Sequence, residues 1–502
     1  MQPVHLESLP AFQNLAWTDF SAAANRQAMQ AALANVRSQL GREYDLLIAG
    51  KREKAEVTFE SLNPSKPDEV VGVLQKASAG QAARAVEAAY EYFPVWKKVP
   101  AGERAAMLLR LAEIIRERKF EFDAWQVFEA GKTWIEADAD VSEAVDFCEY
   151  YAREALRYAN PRPIPQFPGE RNELRYIPLG VGVVIPPWNF PLAILLGITT
   201  SALVTGNTVV LKPSSDTPTN GAIFLEALLE AGFPPECIQF VTGSGAAIGD
   251  LLVEHPKTRF ISFTGSKEVG LRINELAAKP RPGQIWIKRV IAEMGGKDPI
   301  VVDSECDLDA AIVDEKVYDE FLAKLKVKTE VLRVGPADDP DNYMGPVINE
   351  AARKKILEYI EIGKGEGRLI TGGAAIESET GGYFIQPTII ADIDRKARIF
   401  QEEIFGPVLA VTKARDYDHA LELANDSEYG LTGSVYSRNR AKLERAGNEL
   451  HVGNLYYNRK STGAMVASHP FGGFNMSGTD SKAGGPDYLL QFVQAKSIGE
   501  VL

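Results

Sequence analysis

Two polar residues of the sequence follow apolar runs and could act together on a carbonyl group. Glu293 closes such a run before Met294, so we expect its carboxylate at the end of a buried strand. Burial disfavours the charged form and raises the pKa of a carboxyl group towards neutrality, as a general base requires. Asn189 lies in a proline-rich loop after residues 181–185, where its amide could donate a hydrogen bond to an oxyanion. A buried salt bridge at Glu293 and a structural Asx turn at Asn189 are the alternatives.

Two glycine-containing turns each follow a β-branched run and open a helical segment. The first holds Gly245 and Gly249 in a GxGxxxG spacing, one residue longer than the usual dinucleotide-binding pattern. The second holds Gly265 and Ser266, and we expect the serine hydroxyl to cap the helix. Glycines at a helix N-terminus let backbone N–H groups approach a phosphate. One such turn can be a plain tight turn, but two in adjacent units favour a nucleotide site.

A lysine ends a neighbouring run of the same kind. Lys212 follows residues 208–211 and precedes Pro213, which places a cation at the carboxyl end of a strand. Open α/β sheets bind ligands at that edge. Lys212 is therefore a candidate ligand contact, with a solvated surface lysine as the alternative.

Other catalytic and metal-binding patterns are missing from the sequence. It contains no GxSxG elbow and no GxxxxGK[ST] phosphate loop. The histidines show no HxxxH or comparable spacing; they are His5, His255, His419, His451 and His469. The three cysteines stand too far apart for a CxxC metal knuckle or a disulfide framework. We therefore predict no metal site and a reducing, cytoplasmic setting.

The segments that must position these residues alternate between strand and helix. β-Branched runs spaced for crossovers predict a parallel sheet covered by helices; they lie at residues 181–185, 208–211, 238–242, 259–264 and 285–292. An amphipathic pattern at residues 103–119 predicts a covering helix. A second α/β pattern follows, with segments at residues 359–372, 384–390, 408–412 and 419–425. We place the domain boundary near residue 300.

Two segments are expected to stand apart from these layers. Residues 161–169 hold four prolines and a glycine, and the alternation at residues 173–176 suggests a projecting extended arm. The tail, residues 489–502, could pair as an edge strand with a neighbouring chain or pack on its own chain.

Length and composition fit a folded protein of at least two domains. The chain has 502 residues, of which 45% are apolar and 25% charged. Its formal net charge of −13 opposes attraction to nucleic acid or anionic lipid. Residues 176–211 form the longest uncharged stretch, but their prolines would break a membrane-spanning helix. We expect buried strand, loop and helix there, no secretory signal, and neither a nucleic-acid nor a membrane partner.

With these segments assembled, the chain resembles the aldehyde dehydrogenase superfamily over nearly its whole length. Six motifs occur in the superfamily's order: Pro187-Trp-Asn-Phe-Pro191, Gly206-Asn-Thr-Val-Val-Leu-Lys-Pro213, Phe263-Thr-Gly-Ser266, Glu293-Met-Gly-Gly-Lys297, Gln401-Glu-Glu-Ile-Phe-Gly-Pro407 and Pro470-Phe-Gly-Gly-Phe474. Four more segments look like those of members that oxidise glutamate γ-semialdehyde to glutamate in proline breakdown: Glu129-Ala-Gly-Lys132, Phe147-Cys-Glu-Tyr-Tyr151, His451-Val-Gly-Asn-Leu-Tyr456 and Gly478-Thr-Asp-Ser-Lys-Ala-Gly-Gly485.

The resemblance implies an α/β fold in three parts. A Rossmann-type parallel-sheet domain for the cofactor would comprise residues 1–158 and 177–293. A second α/β catalytic domain would comprise residues 294–484. A small β arm for oligomerisation would comprise residues 159–176 and 485–502, which implies a homo-oligomer.

The resemblance also assigns roles to the residues that match. Glu293 would activate the deacylating water and Asn189 would hold the oxyanion. The cofactor would be bound by Pro187, Trp188, Lys212, Ser215, Gly245, Gly249, Gly265, Ser266, Glu403 and Phe405. Among these, Lys212 would contact the adenine-side ribose and Ser266 the pyrophosphate. Glu403 and Phe405 would contact the nicotinamide ribose and ring.

Specificity is implied by a few further positions. Many relatives have a glutamate where this chain has Ser215, and a carboxylate there would repel a 2′-phosphate. We therefore predict NAD as the main cofactor, with NADP tolerated. Gly463 and Ala464 match backbone donors for the α-carboxylate of the aldehyde substrate, and Phe190 and Phe471 match aromatic walls around its aliphatic stem.

The superfamily mechanism needs a cysteine thiolate that this sequence does not place. The segment 307–311 runs almost directly into 312–319, where the superfamily pattern calls for about two dozen more residues. Cys306 is the nearest thiol, but it stands between two acidic residues that oppose thiolate formation. Cys148 and Cys237 are expected to be structural.

Several interpretations stay open at this point. Either the native protein has the segment, or the segment is deleted from the protein, or it is naturally absent in a relative without a nucleophile. The reaction expected from the resemblance is NAD(P)-dependent oxidation of glutamate γ-semialdehyde through a cysteine thioester. The alternatives are another small acidic aldehyde, such as succinate semialdehyde, or a nucleotide-binding or scaffold protein without a nucleophile.

Overall fold

The computed structural model describes residues 2–305 and 312–502 of the chain. Its strands are β1 (Arg42–Tyr44), β2 (Leu46–Ile48), β3 (Lys51–Glu53), β4 (Thr58–Asn63), β5 (Lys66–Gln75), β6 (Glu170–Pro178), β7 (Val181–Ile185), β8 (Thr208–Leu211), β9 (Ile238–Phe240), β10 (Thr258–Thr264), β11 (Arg289–Glu293), β12 (Ile300–Val302), β13 (Ile312–Asp314), β14 (Arg368–Thr371), β15 (Thr388–Ala391), β16 (Val408–Ala410), β17 (Thr412–Ala414), β18 (Tyr429–Gly430), β19 (Thr432–Tyr436), β20 (Asn454–Tyr457), β21 (Phe474–Asn475) and β22 (Val493–Val501). Its α-helices are α1 (Ala23–Arg37), α2 (Ala79–Trp96), α3 (Ala101–Glu117), α4 (Lys119–Ala130), α5 (Trp134–Ala159), α6 (Ala193–Val204), α7 (Pro218–Glu230), α8 (Asp250–Glu254), α9 (Lys267–Ala278), α10 (Tyr318–Glu330), α11 (Glu350–Glu366), α12 (Arg398–Gln401), α13 (Tyr417–Asn425) and α14 (Arg440–Glu449).

The larger sheet has the strand order β11-β10-β7-β8-β9-β2-β3. Its strands run parallel from β11 to β9, and β2 and β3 continue it antiparallel. Alternate residues enter two different apolar clusters: Val183 packs with α2 and α8, whereas Val184 packs with α3, α5 and α6. Helices therefore cover both faces, which explains why β7 and β8 are apolar without alternation.

Most strands of this sheet lie where the sequence predicted them. The difference concerns the start of the edge strand β11. The strands predicted at residues 181–185 and 208–211 are confirmed, and so is a helix over most of residues 103–119. The strand predicted at residues 285–292 begins only at Arg289, because β11 is an edge strand and its pairing with β10 starts there. Ile285 and Ile287, which precede it, are 80% and 87% exposed.

The second sheet has the order β17-β13-β12-β19-β20, and all its strands are parallel. Val301 and Ile312 face a cluster formed by α11, α12, α13 and α14. Val302 and Val313 face the opposite cluster, which includes residues of α10. The strand segments expected at residues 384–390 and 408–412 correspond mainly to β15 and β16, which belong to a separate three-stranded sheet in the order β14-β15-β16. The second α/β pattern expected after residue 293 is therefore present, but its strands form two sheets.

A two-stranded ribbon projects from these layers. β6 and β22 pair antiparallel over nine residues each, from Glu170 opposite Val501 to Pro178 opposite Val493. The tail therefore pairs with a strand of its own chain, which is one of the two possibilities considered for it. At the base of the ribbon, the Arg289 guanidinium donates to the carbonyl oxygens of three tail residues: Leu490, Gln491 and Val493.

The long uncharged stretch forms strand, loop, helix and strand, as the prolines indicated. It contains β7, α6 and β8, and α6 is buried on nearly every side. Within residues 2–305 and 312–502, every helix is too short or too polar to cross a lipid bilayer.

The close approach of β10 to β7 predicts a specific packing effect. Substitution Gly182→Ala would place a Cβ atom 2.2 Å from the Phe260 ring, so the ring or the strand must shift. Overpacking of this kind costs about 1–3 kcal/mol, and we expect the free energy of unfolding measured in urea to fall by that amount. Gly365→Ala is the control, since an added Cβ there meets nothing within 4 Å. Equal stability of both variants would contradict this packing.

Candidate active site

Glu293 ends β11 as a buried carboxylate. Its Oε2 accepts from the Gly473 N–H (2.9 Å) and its Oε1 accepts a short hydrogen bond from the Ser481 hydroxyl. Burial raises the pKa of Glu293 to about 7, and these hydrogen bonds oppose that rise. Among the described residues it has no ion-pair partner, because Lys482 Nζ instead donates to the carbonyls of Gly453 (2.6 Å) and Gly472 (2.7 Å). The salt-bridge alternative is therefore wrong, and a general base near neutrality fits.

Glycines are needed around this carboxylate because the backbone passes very close to it. A Cβ at Gly472 would lie 2.9 Å from Glu293 Oε1, and one at Gly478 would lie 2.8 Å from Oε2. The Gly472 N–H donates to Asn454 Oδ1 (3.2 Å), which ties the glycine loop to β20 of the second sheet. Glu293 thus lies where the two sheets meet.

Asn189 lies at the same edge of the larger sheet. β7 and β11 flank β10, with Ile185 opposite Phe263 and Glu293 opposite Thr264. Two strand spacings separate these strand ends, which is roughly 10 Å. The Asn189 carboxamide makes no hydrogen bond to a described residue, so the Asx-turn alternative is not formed, and its backbone carbonyl accepts from Lys132 Nζ (3.1 Å). The carboxamide is free to donate to a ligand.

The two glycine turns lie at the carboxyl ends of β9 and β10. Gly245 and Gly249 bound a single π-helical turn, and an added Cβ at either would meet nothing within 4 Å. Ser266 caps α9 as expected, since its hydroxyl accepts from the Val269 N–H. The Gly265 N–H donates to the Glu293 carbonyl (3.0 Å). Two helix starts therefore lie at the carboxyl edge of the larger sheet, which suits a phosphate-bearing ligand.

Lys212 is buried, with only 5% of its surface exposed. Its ammonium group makes one long hydrogen bond, to the Pro213 carbonyl (3.3 Å), and burial lowers its pKa to about 8. The surface-lysine alternative is wrong. A buried cation without a carboxylate partner fits the hydroxyl or phosphate oxygens of a nucleotide. Ser215, three residues further, is exposed and donates to the Gly243 carbonyl (3.2 Å).

Glu403 and Phe405 lie between α12 and β16 and approach this edge from the second half of the chain. Glu403 Oε1 accepts from the Gly296 N–H (2.9 Å), and burial raises its pKa. Phe405 has a positive φ of 56° and places its ring edge-on against Trp188, 5.3 Å between centroids, next to Pro187. A cavity of about 350 Å³, here called the Glu403 cavity, opens beside them; its lining includes Pro299, Ile300, Ile312, Glu403 and Phe405.

The four expected substrate residues lie in two places. Lys132 Nζ lies over the Phe190 ring, 4.4 Å from its centroid. Phe471 bridges to Ala483 beside the glycine loop. Gly463 has a left-handed φ of 78° and its carbonyl accepts from Arg459 (2.8 Å), and Ala464 is half-buried beside it.

Sequence reasoning missed Glu143 on α5. Burial, reinforced by the charge of Asp140, raises its pKa to about 8, and no described residue donates a hydrogen bond to it. It is within electrostatic range of Lys132 and of Tyr456. Its three-residue spacing from Asp140 on one helix face was the available signal. A half-buried carboxylate with no hydrogen-bond partner among the described residues can receive a cationic group of a ligand here.

The described thiols lie away from this site. Cys148 and Cys237 are fully buried, and burial raises the pKa of both, so they are structural as expected. Cys306 lies outside the described residues. Within residues 2–305 and 312–502, no three carboxylate, imidazole or thiol groups lie close enough to hold a metal ion.

Comparison with known proteins agrees with this geometry. The model of the aldehyde dehydrogenase family matches residues 51–314 and 310–498. A 1-pyrroline-5-carboxylate dehydrogenase of Geobacillus thermodenitrificans is 56% identical over 507 aligned positions, covering 97% of this chain and 98% of that protein. A structure of 1-pyrroline-5-carboxylate dehydrogenase from Thermus with bound NAD has a TM-score of 0.96 at 47% identity, covering 99% and 100%.

A more distant structure adds one chemical fact. A betaine aldehyde dehydrogenase variant from Staphylococcus aureus, in complex with NAD⁺, has a cysteine modified by β-mercaptoethanol. It has a TM-score of 0.86 at 28% identity, covering 93% of this chain and 98% of that one. The family model matches most of this chain and the Geobacillus relative is more than half identical to it, so the chain belongs to the aldehyde dehydrogenase family.

Proposed function

We propose that this site is built for the NAD-dependent oxidation of L-glutamate γ-semialdehyde to L-glutamate in proline degradation. The observation that carries the proposal is the buried Glu293, whose pKa of about 7 suits a base for water. It lies between an open phosphate-binding edge and the loop that holds Gly463 and Phe471. The relatives named 1-pyrroline-5-carboxylate dehydrogenase support the choice of substrate.

The residues of this chain would share the work in the following way. The Asn189 carboxamide would donate to the aldehyde oxygen as it gains negative charge. NAD, when bound, supplies the hydride acceptor. The Glu293 carboxylate would take a proton from the water that attacks the acyl group, and burial keeps bulk water from competing. The acyl group must be carried by a thiol, which the described residues do not place at the site.

The amino-acid end and the stem of the substrate would both find complementary groups. The backbone N–H groups of Gly463 and Ala464 would bind the α-carboxylate, and Phe190 and Phe471 would enclose the stem. Glu143 would pair with the α-ammonium group, which compensates the burial of both charges. Succinate semialdehyde has no ammonium group and would leave Glu143 unpaired, so the site favours the amino acid.

The nucleotide would lie along the carboxyl edge of the larger sheet. Gly245, Gly249, Gly265 and Ser266 line its phosphate side, and Lys212 and Ser215 its adenosine side. Pro187, Trp188, Glu403 and Phe405 would border the nicotinamide side. An exposed serine in place of a carboxylate leaves room for a 2′-phosphate, so NADP would be tolerated.

The proposed domains, oligomer and cellular compartment are inferred from the same architecture. We propose that residues 1–158 and 177–293 form the cofactor domain and residues 294–484 the catalytic domain. Residues 159–176 and 485–502 would form the arm that joins subunits of a homo-oligomer, because the ribbon of β6 and β22 presents free edges. Unpaired thiols at Cys148 and Cys237 favour a reducing cytoplasm.

Ser215 gives a test of cofactor choice. Substitution Ser215→Glu places a carboxylate beside the adenosine ribose, which should weaken NADP binding at least about tenfold while NAD binding changes little. Titration of tryptophan fluorescence with each nucleotide measures both dissociation constants. Ser215→Gln, of equal size and without charge, should bind both nucleotides as the unaltered protein does. Equal weakening of NAD and NADP by Ser215→Glu would place Ser215 away from the ribose.

Glu143 gives a test of the substrate. L-Glutamate should bind to the chain with NADH at least about tenfold more tightly than glutarate, which has no ammonium group, and Glu143→Gln should remove that preference. Isothermal titration calorimetry measures the four dissociation constants. Glu149→Gln is the control, since Glu149 lies on the same helix but pairs with Arg116 and Arg153. Equal binding of glutamate and glutarate would contradict an amino-acid substrate.

Glu293 gives a test through stability. Its pKa rises from 4.5 unfolded to about 7 folded, so its contribution is complete below pH 4.5 and lost as pH rises through 7. Relative to Glu293→Gln, the unaltered protein should lose about 3 kcal/mol of unfolding free energy between about pH 4.5 and about pH 8. Urea unfolding at both pH values measures the difference. Parallel pH profiles would show that Glu293 titrates normally.

A further inference from the structure

The connection between β12 and β13 is unusually short. The two strands are parallel neighbours, with Val301 opposite Ile312, and only residues 303–311 join them. A crossover between adjacent parallel strands normally needs a dozen or more residues, usually with a helix. Nine residues are fewer than such a crossover normally needs, and the helices that cover both faces of the sheet come from later segments.

The relatives are longer at this point. The alignment with the Geobacillus relative spans 507 positions, yet 97% of 502 residues is about 487, so roughly 20 positions have no counterpart in this chain. The family model matches in two pieces that meet at residues 310–314. The break in that match coincides with the start of β13, which places the missing residues in the β12–β13 connection.

The remaining part of the connection leads away from the site. Glu305 is held by the Arg438 N–H (2.8 Å) and by Lys442 (3.1 Å), beyond the carboxyl ends of β12 and β19. The loop that holds Glu293 is tied to Asn454, which lies opposite Thr432 at the start of β19. Thr432 and Tyr436 are separated by four strand residues, or about 13 Å. The last described residue before Cys306 is therefore at the opposite edge from Glu293.

The Glu403 cavity lies at the edge where those residues are missing. Ile300 and Ile312, at the first positions of β12 and β13, form part of its wall, and so do Glu403 and Phe405. Residues inserted just before Ile312 would enter β13 from this side. The cavity thus lies next to the expected nicotinamide contacts. A longer connection between β12 and β13 would border it.

We propose that this chain binds the nucleotide and the amino-acid substrate but does not oxidise the aldehyde, because it lacks the thiol that must carry the acyl group. This inference rests on the proposed function of the site. The thiol adds to the aldehyde carbon, forming a C–S bond while the carbonyl oxygen takes a proton. Loss of hydride, for which NAD would be the acceptor, and of the hydroxyl proton would leave a thioester; water would then displace the sulfur as a thiolate while Glu293 takes the proton of water. Without that thiol, Asn189 and Glu293 have no acyl group to act on.

An activity assay of the unaltered chain tests the inference directly. NADH formation is followed by absorbance with NAD and glutamate γ-semialdehyde, and NAD binding is measured on the same preparation. We expect normal NAD binding and no NADH formation above that of a Cys306→Ser variant. Turnover by the unaltered chain would overturn the inference and leave the proposed substrate standing.

A graft separates this inference from the proposed function. The residues of the Geobacillus relative that align with the gap are inserted before Ile312, and a second graft carries alanine in place of each inserted cysteine. We expect the first graft to form NADH with glutamate γ-semialdehyde, at least a hundredfold above the second. A folded graft that binds NAD but oxidises neither aldehyde would overturn the inference. A graft that prefers succinate semialdehyde would overturn the proposed substrate while leaving the inference intact.

Discussion

The burial of one carboxylate constrains most of what surrounds the site. Glu293 loses water at the end of β11, and among the described residues Gly473 and Ser481 donate hydrogen bonds to it instead. A buried acid with a pKa of about 7 changes its charge near neutrality, which an acid held in an ion pair would not do. The glycines at positions 472 and 478 follow from this, because any side chain there would displace the carboxylate.

Much of this arrangement could be predicted from local sequence. Apolar runs predicted β7 and β8. The position of Glu293 directly after such a run predicted its burial and its raised pKa. Both predictions succeed because the burial of a strand depends on residues close together in the sequence. The hydroxyl cap at Ser266 was likewise predicted from local sequence, because an N-cap depends on the residue that directly precedes a helix. The strand prediction was wrong at residues 285–288. There an apolar run precedes the edge strand β11 and pairs with no described strand.

Other features depend on packing between distant segments and leave little trace in a single sequence. Lys212 could be placed at a strand end, but its burial depends on covering helices and was left open. Glu143 was overlooked because its lack of partners becomes visible only when α5 is packed against Lys132 and Tyr456. The short β12–β13 connection was apparent from spacing, whereas the position of Glu305 at the far edge required the register of the second sheet.

The clamp between Arg289 and the tail couples two distant parts of the molecule. A single guanidinium gathers three carbonyl oxygens at the root of the ribbon, and the same residue begins the strand that ends in Glu293. One side chain therefore fixes both the root of the ribbon and the start of the strand that carries Glu293. Removing that guanidinium would leave the three carbonyl oxygens without this donor and would unfasten the tail from β11.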